Sequence, residues 1–118
     1  MRFLLLLSIL SSKFKKAAEQ NPGFQKFLMG HECSVVIKTR DNTKGRRFIF
    51  KDGRFSCDKK LDEYDAAMIW ADPGIAFKAM KQGDEGITEA LQNHRVAIDG
   101  KLHSFTWFGA AIKYVMPA

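Results

Sequence analysis

Two runs of alternating residues meet at Asp52-Gly53. In Arg46–Lys51, Phe48 and Phe50 fall on one face, and Arg47, Ile49 and Lys51 on the other. In Arg54–Asp58, Phe55 and Cys57 alternate with Arg54 and Ser56. Period-2 alternation marks a half-buried strand. Asp-Gly between two such runs marks a hairpin, because Gly accepts the positive φ of a tight turn. A chain with this hairpin must build a sheet and cover its apolar face. Three more strands are expected. Ser34–Arg40 alternates Val35, Ile37 and Thr39 with Val36, Lys38 and Arg40, ahead of a turn at Asp41–Gly45. Tyr64–Ala71 is apolar at nearly every position, as in a strand covered on both faces or central in its sheet. Arg95–Asp99 places Val96 and Ile98 on one face, and Gly100 ends it.

Helical signals surround these strands. Asn21-Pro22-Gly23 ends a first helix, and a short one, Phe24–Met29, stops at Gly30. Asp72-Pro73 predicts a helix start, with an acidic N-cap followed by a proline set for the first turn. Ala76, Phe77 and Met80 form its apolar face, and Gly83 stops it. Asp84 opens a helix carrying Ile87, Ala90 and Leu91. The last helix, Leu102–Met116, aligns Leu102, Phe105, Phe108, Ile112, Val115 and Met116, with Trp107, Ala111 and Tyr114 in a second apolar strip. So wide a face suits a lid over something apolar, or core on one side and a dimer surface on the other. Segregated strands and helices predict an α+β fold with a five-stranded, mostly antiparallel sheet. At 118 residues the chain is one domain.

The opening MRFLLLLSILSSKFKK has the basic start and apolar run of a secretory signal, but Lys13, Phe14, Lys15 and Lys16 are a poor cleavage context. The run Phe3–Leu10 is far short of the about 20 residues that span a bilayer. As a helix, it puts Ser8, Ser11, Ser12, Lys15, Lys16 and Glu19 on one stripe. Phe3, Leu6, Leu7, Leu10, Phe14 and Ala17 lie opposite. Leu4 and Leu5 extend the polar stripe, so the first turn is apolar all round. Two readings account for that. In one, Phe3, Leu6, Leu7 and Leu10 enter a membrane interface while Lys13, Lys15 and Lys16 meet anionic headgroups. In the other, the tip packs into this domain or a dimer partner.

Charge favours an anionic partner for the first half. Residues 1–60 carry 14 Lys/Arg against 5 Asp/Glu; residues 61–118 carry 5 against 8. Motifs for chemistry are sparse. His31-Glu32-Cys33 has no second ligand pair at zinc spacing. His103-Ser104 near Asp99 lacks a nucleophile elbow. No phosphate-binding glycine motif is present. Arg46-Arg47-Phe48-Ile49-Phe50 interleaves basic and aromatic residues as a single-strand platform does. Period 2, however, sends both phenylalanines to the core face, so nucleic acid is not an expected partner. No metal, cofactor or catalysis is expected. Ten phenylalanines against two Trp and two Tyr suit a thick core or an apolar pocket.

Four segments together resemble a sterol-carrier-protein type-2 (SCP-like) domain. They are FIFKDGRFS (Phe48–Ser56), YDAAMIWADPGIAFKAMKQG (Tyr64–Gly83), the spacing from Gly83 through Ala90 to VAIDG (Val96–Gly100), and the amphipathic helix from Leu102. His94 stands where a small residue is common in that family. The resemblance implies a five-stranded sheet covered by helices, with an apolar tunnel between them. It also implies non-enzymatic binding of sterols, fatty acyl chains, isoprenoids or other lipids. By position, the tunnel candidates are Phe77, Met80, Ile87, Leu91, Phe105, Phe108 and Ile112. A short chain of this kind is similar to bacterial members, some of which are accessory lipid-binding factors in isoprenoid quinone synthesis. The expected protein has an amphipathic basic helix over residues 1–20 and a lipid-binding domain over residues 21–118. It is expected to be cytoplasmic and to touch membrane peripherally. The competing expectation is a dimeric scaffold or accessory factor without a resident ligand.

Overall fold

The computed structural model describes residues 2–115. The elements are α1 (Arg2–Gln20), α2 (Pro22–Leu28), β1 (Cys33–Thr39), β2 (Gly45–Lys51), β3 (Arg54–Asp58), β4 (Ala66–Trp70), α3 (Pro73–Gln82), α4 (Asp84–Gln92), β5 (Val96–Gly100) and α5 (Leu102–Val115). Every expected element is present, with ends shifted by one or two residues. Met116, placed in the last helix by its apolar pattern, lies outside the described residues. Asp52 and Gly53 both have positive φ, 54° and 73°, which turns β2 tightly into β3. Asn21 caps α2 by accepting the Phe24 N–H at 3.1 Å. Asp72 caps α3, its Oδ1 accepting the Gly74 and Ile75 N–H groups at 2.7 and 3.1 Å.

The five strands form one mixed sheet in the order β3-β2-β1-β4-β5. β1–β2, β2–β3 and β4–β5 are antiparallel, whereas β1–β4 is parallel. β1, β3 and β4 therefore run the same way, and residues 59–65 must cross back along the sheet to begin β4. Two cations hold that crossing. Lys38 of β1, only 6% exposed, donates to the Leu61 carbonyl at 3.2 Å. Arg47 of β2 donates to the Glu63 carbonyl at 3.2 Å and pairs bidentately with Asp58 at 3.0 and 2.6 Å. The crossing covers the side of the sheet that carries Val36 and Ala67. Tyr64 closes it, with the Lys38 ammonium 5.5 Å from its ring centre and its hydroxyl donating to Asp99.

The other side of the sheet is the core. Val35, Ile37, Phe48, Phe50, Met68, Trp70 and Val96 meet buried residues from all five helices there. Cys33 is buried in this layer, and burial pushes its thiol up to about 11. Cys33 and Cys57 are both free thiols. β2 lies between their strands, which holds them about 9 Å or more apart and precludes a bridge.

Two carboxylates are expected to lend the fold some acid sensitivity. Arg47 holds Asp58 below the usual carboxylate range through its hydrogen bonds. Asp41, in the β1–β2 turn, accepts from the Thr39 and Thr43 hydroxyls, both at 2.7 Å, and from the Thr43 N–H at 3.1 Å. These bonds lower it to about 2. An acid with a depressed folded pKa stabilises above its unfolded value, roughly 3.9, and loses that contribution as pH falls through the folded value. Urea midpoints are therefore expected to be flat above about pH 5 and to fall between about pH 4 and 2. The Asp41→Asn variant should show a shallower fall.

Candidate functional site

The space over the sheet, where the resemblance places a tunnel, holds the chain's own side chains. Phe14 of α1 is fully buried there. Its ring centre lies 6.0 Å from Phe24, 6.0 Å from Phe48, 5.1 Å from Phe50, 5.4 Å from Phe55 and 5.8 Å from Phe108. Such offset and edge-on aromatic contacts are favourable beyond their area. In the region where the resemblance places a hollow, α1 lies over β2 and β3 and inserts Phe14 between them and α5.

The seven tunnel candidates are accordingly dispersed. Phe108 is fully buried in that core. Met80, Ile87, Phe105 and Ile112 are half-buried and pack on its margin. Leu91 is at the surface. Phe77 lines a solvent-open groove that the described residues form between α1 and α3.

That groove has a volume of about 810 Å³ and lies between the first turn of α1 and α3. Phe3, Pro73, Gly74 and Phe77 give it an apolar floor, and Arg2, Lys78, Lys81 and Gln82 stand around it. Helical spacing builds one wall, since Pro73, Phe77 and Lys81 recur every four residues on α3. The Arg2 guanidinium carbon is 6.0 Å from the Phe77 ring centre, and the Lys81 ammonium is 5.8 Å from it. Two cations thus flank one ring. The sequence reading identified Phe77 but missed Arg2, Lys78 and Lys81. The repeat on α3 was legible; the approach of residue 2 to it is tertiary. Two smaller grooves among the described residues have volumes of about 270 Å³, between α3 and α4, and about 420 Å³, lined by Lys13, Lys16 and Tyr114. In the first, α3 and α4 touch so closely that a Cβ on Gly86 would sit 2.3 Å from the Ala79 carbonyl oxygen.

The membrane-facing set is also redistributed. Phe3, Leu7 and Leu10 are buried in the core and have no surface to offer a bilayer. Leu6 is half-buried, and Lys13, Lys15 and Lys16 are exposed. The exposed apolar residues of α1 are Leu5, at 60%, and Ile9, at 43%. They lie on the side that also carries Arg2, Lys13 and Lys16. Among the described residues, no helix is long and apolar enough to cross a membrane. Ser104 is buried in α5, its carbonyl accepting the Cys33 thiol at 3.9 Å, while Asp99 is engaged by Tyr64. The nucleophile arrangement suggested by their closeness in sequence is not assembled.

No family model matches the sequence, and no curated protein matches it. Solved structures do match its fold. UbiJ-SCP2, described as a ubiquinone synthesis protein, superposes with a TM-score of 0.62 over 92% of this chain and 90% of its own, at 12% identity. Sterol Carrier Protein 2 from Yarrowia lipolytica gives 0.58 over 92% and 90%, at 7% identity. TT1886 from Thermus thermophilus, described as possibly a sterol carrier protein, gives 0.56 over 92% and 81%, at 14% identity. In fold, the chain is a sterol carrier protein 2-like domain.

Proposed function

We propose that this chain binds a lipid or other long apolar molecule without transforming it, and does so at an anionic membrane surface. The observation that carries the reading is the groove of about 810 Å³ between α1 and α3, with Pro73 and Phe77 on its apolar side. Its size falls in the roughly 300–1,000 Å³ range of small-molecule sites. The site lies on the rim of the helical layer, so cargo lies along α3 instead of threading the core. Leu5 and Ile9, flanked by Arg2, Lys13 and Lys16, form the docking face. The names of the similar structures, a sterol carrier and a ubiquinone synthesis protein, support an apolar cargo.

The reading is tested by solvent extraction of the purified full chain with mass spectrometry, and by pelleting with phosphatidylglycerol vesicles. A co-purifying lipid is expected. The double variant Leu5→Gln/Ile9→Gln is expected to pellet at least about fivefold less than wild type, because it removes two exposed apolar anchors of about 1 kcal/mol each or more. Clean extracts and equal pelleting overturn the reading.

A second reading is favoured by the filled core: a scaffold or accessory factor with no resident ligand. In it, Leu5 and Ile9 face a second copy, and sedimentation gives a dimer that the same double variant dissociates.

A further inference from the structure

We infer that the groove between α1 and α3 selects an anionic amphiphile, a long hydrocarbon chain ending in a carboxylate or phosphate, over a neutral lipid. This rests on the groove reading above and adds the chemistry of the headgroup. Three cations line the groove, Arg2, Lys78 and Lys81, and no carboxylate does. Among the described residues, none of the three is in an ion pair. The nearest acid along α3 is Asp72, and its Oδ1 is engaged by the Gly74 and Ile75 N–H groups. Asp84, beyond the other end of α3, pairs with Lys113 at 3.5 Å.

Unpaired cations gathered at one place repel each other unless an anion joins them. Here they surround an apolar floor. Arg2 and Lys81 lie against the Phe77 ring, which holds their charged ends beside the hydrocarbon surface. A ligand that satisfies both halves of the site carries a negative head on an apolar tail. A neutral sterol or hydrocarbon fills the floor and leaves three charges uncompensated. Free phosphate meets the charges and leaves Pro73 and Phe77 wet.

The test uses one tail and three heads. Delipidated full-length protein is titrated calorimetrically at pH 8 and low salt with dodecanoate, dodecyl phosphate and dodecanol, below their aggregation concentrations, and separately with inorganic phosphate. Both anionic amphiphiles are expected to bind at least about tenfold more tightly than dodecanol. The advantage should shrink to about threefold or less in 0.5 M NaCl and in the triple variant Arg2→Gln/Lys78→Gln/Lys81→Gln. Exposed positions make unfolding of that variant unexpected, and its urea midpoint checks this. Phe77→Asp should weaken all three ligands, which maps them to this groove. Dodecanol binding as tightly as the anions overturns the inference and leaves the lipid reading standing. An anion preference that survives in the triple variant also overturns it. Inorganic phosphate binding as well as dodecyl phosphate reduces the site to a phosphate site and sinks the amphiphile. If none of the four binds, both the inference and the lipid reading fall.

Discussion

A chain starting at Asn21 is expected to lose the cooperative unfolding transition of the full chain. The helix it lacks is not an appendage. Phe3, Leu7, Leu10 and Phe14 are each at most 1% exposed, and all belong to the same core as the sheet residues Phe48 and Phe50. Burying a large apolar side chain contributes roughly 1.5–3 kcal/mol, so these four account for about 6–12 kcal/mol. Whole domains are stable by only about 5–15 kcal/mol. The truncated chain should therefore keep some far-ultraviolet dichroism, lose its near-ultraviolet signal and bind a hydrophobic dye. A sharp thermal transition within about 5 °C of the full chain would show that residues 21–118 fold alone. The result bears on function too. Deleting α1 cannot test membrane docking, because it exposes the phenylalanine core and creates a non-specific lipid binder. Substituting Leu5 and Ile9 removes the docking face and leaves the core intact.

The same helix shows why part of the molecule was legible in the sequence and part was not. The hairpin was legible because Asp52-Gly53 and the alternation around it are local signals, and local signals set β2 and β3. The α3 start was legible because Asp72-Pro73 encodes its cap within four residues. The polar stripe of α1 was legible for the same reason. What covers the opposite stripe was not: an amphipathic helix presents the same face to a bilayer, a partner or its own sheet. The structure chooses the sheet, and this follows from Phe14, which finds five phenylalanines from α2, β2, β3 and α5 around it. Those partners are separated from it by up to 94 residues of chain, and no periodicity reports such a meeting. The groove was illegible on the same grounds. Phe77 stood out as an apolar position on α3, but Arg2 reaches it only because the first turn of α1 lies against α3.

Phe14→Ala is expected to destabilise the fold by about 3–5 kcal/mol, the range for a fully buried phenylalanine reduced to a methyl group. In a domain of this size that lowers Tm by more than about 10 °C. The variant also tests where the space in this fold resides. Removing the ring leaves a void walled by Phe24, Phe48, Phe50, Phe55 and Phe108, all aromatic and without a polar group to hold water. An apolar void of that kind stays dry and admits a small aromatic molecule. Benzene is therefore expected to raise the Tm of the variant by several degrees and to leave wild type unchanged, because only the variant has room for it. Phe14→Leu, which keeps most of the volume, should lose much less stability and show a weaker response. If Phe14→Ala melts within about 3 °C of wild type, the ring is not the plug that its position indicates. If it melts early and benzene does not rescue it, the neighbouring phenylalanines have collapsed into the gap. Rescue by benzene would mean that a closed cavity above β2 is one side chain away from existing. The difference between a filled domain of this fold and a hollow one would then rest on what α1 places at position 14.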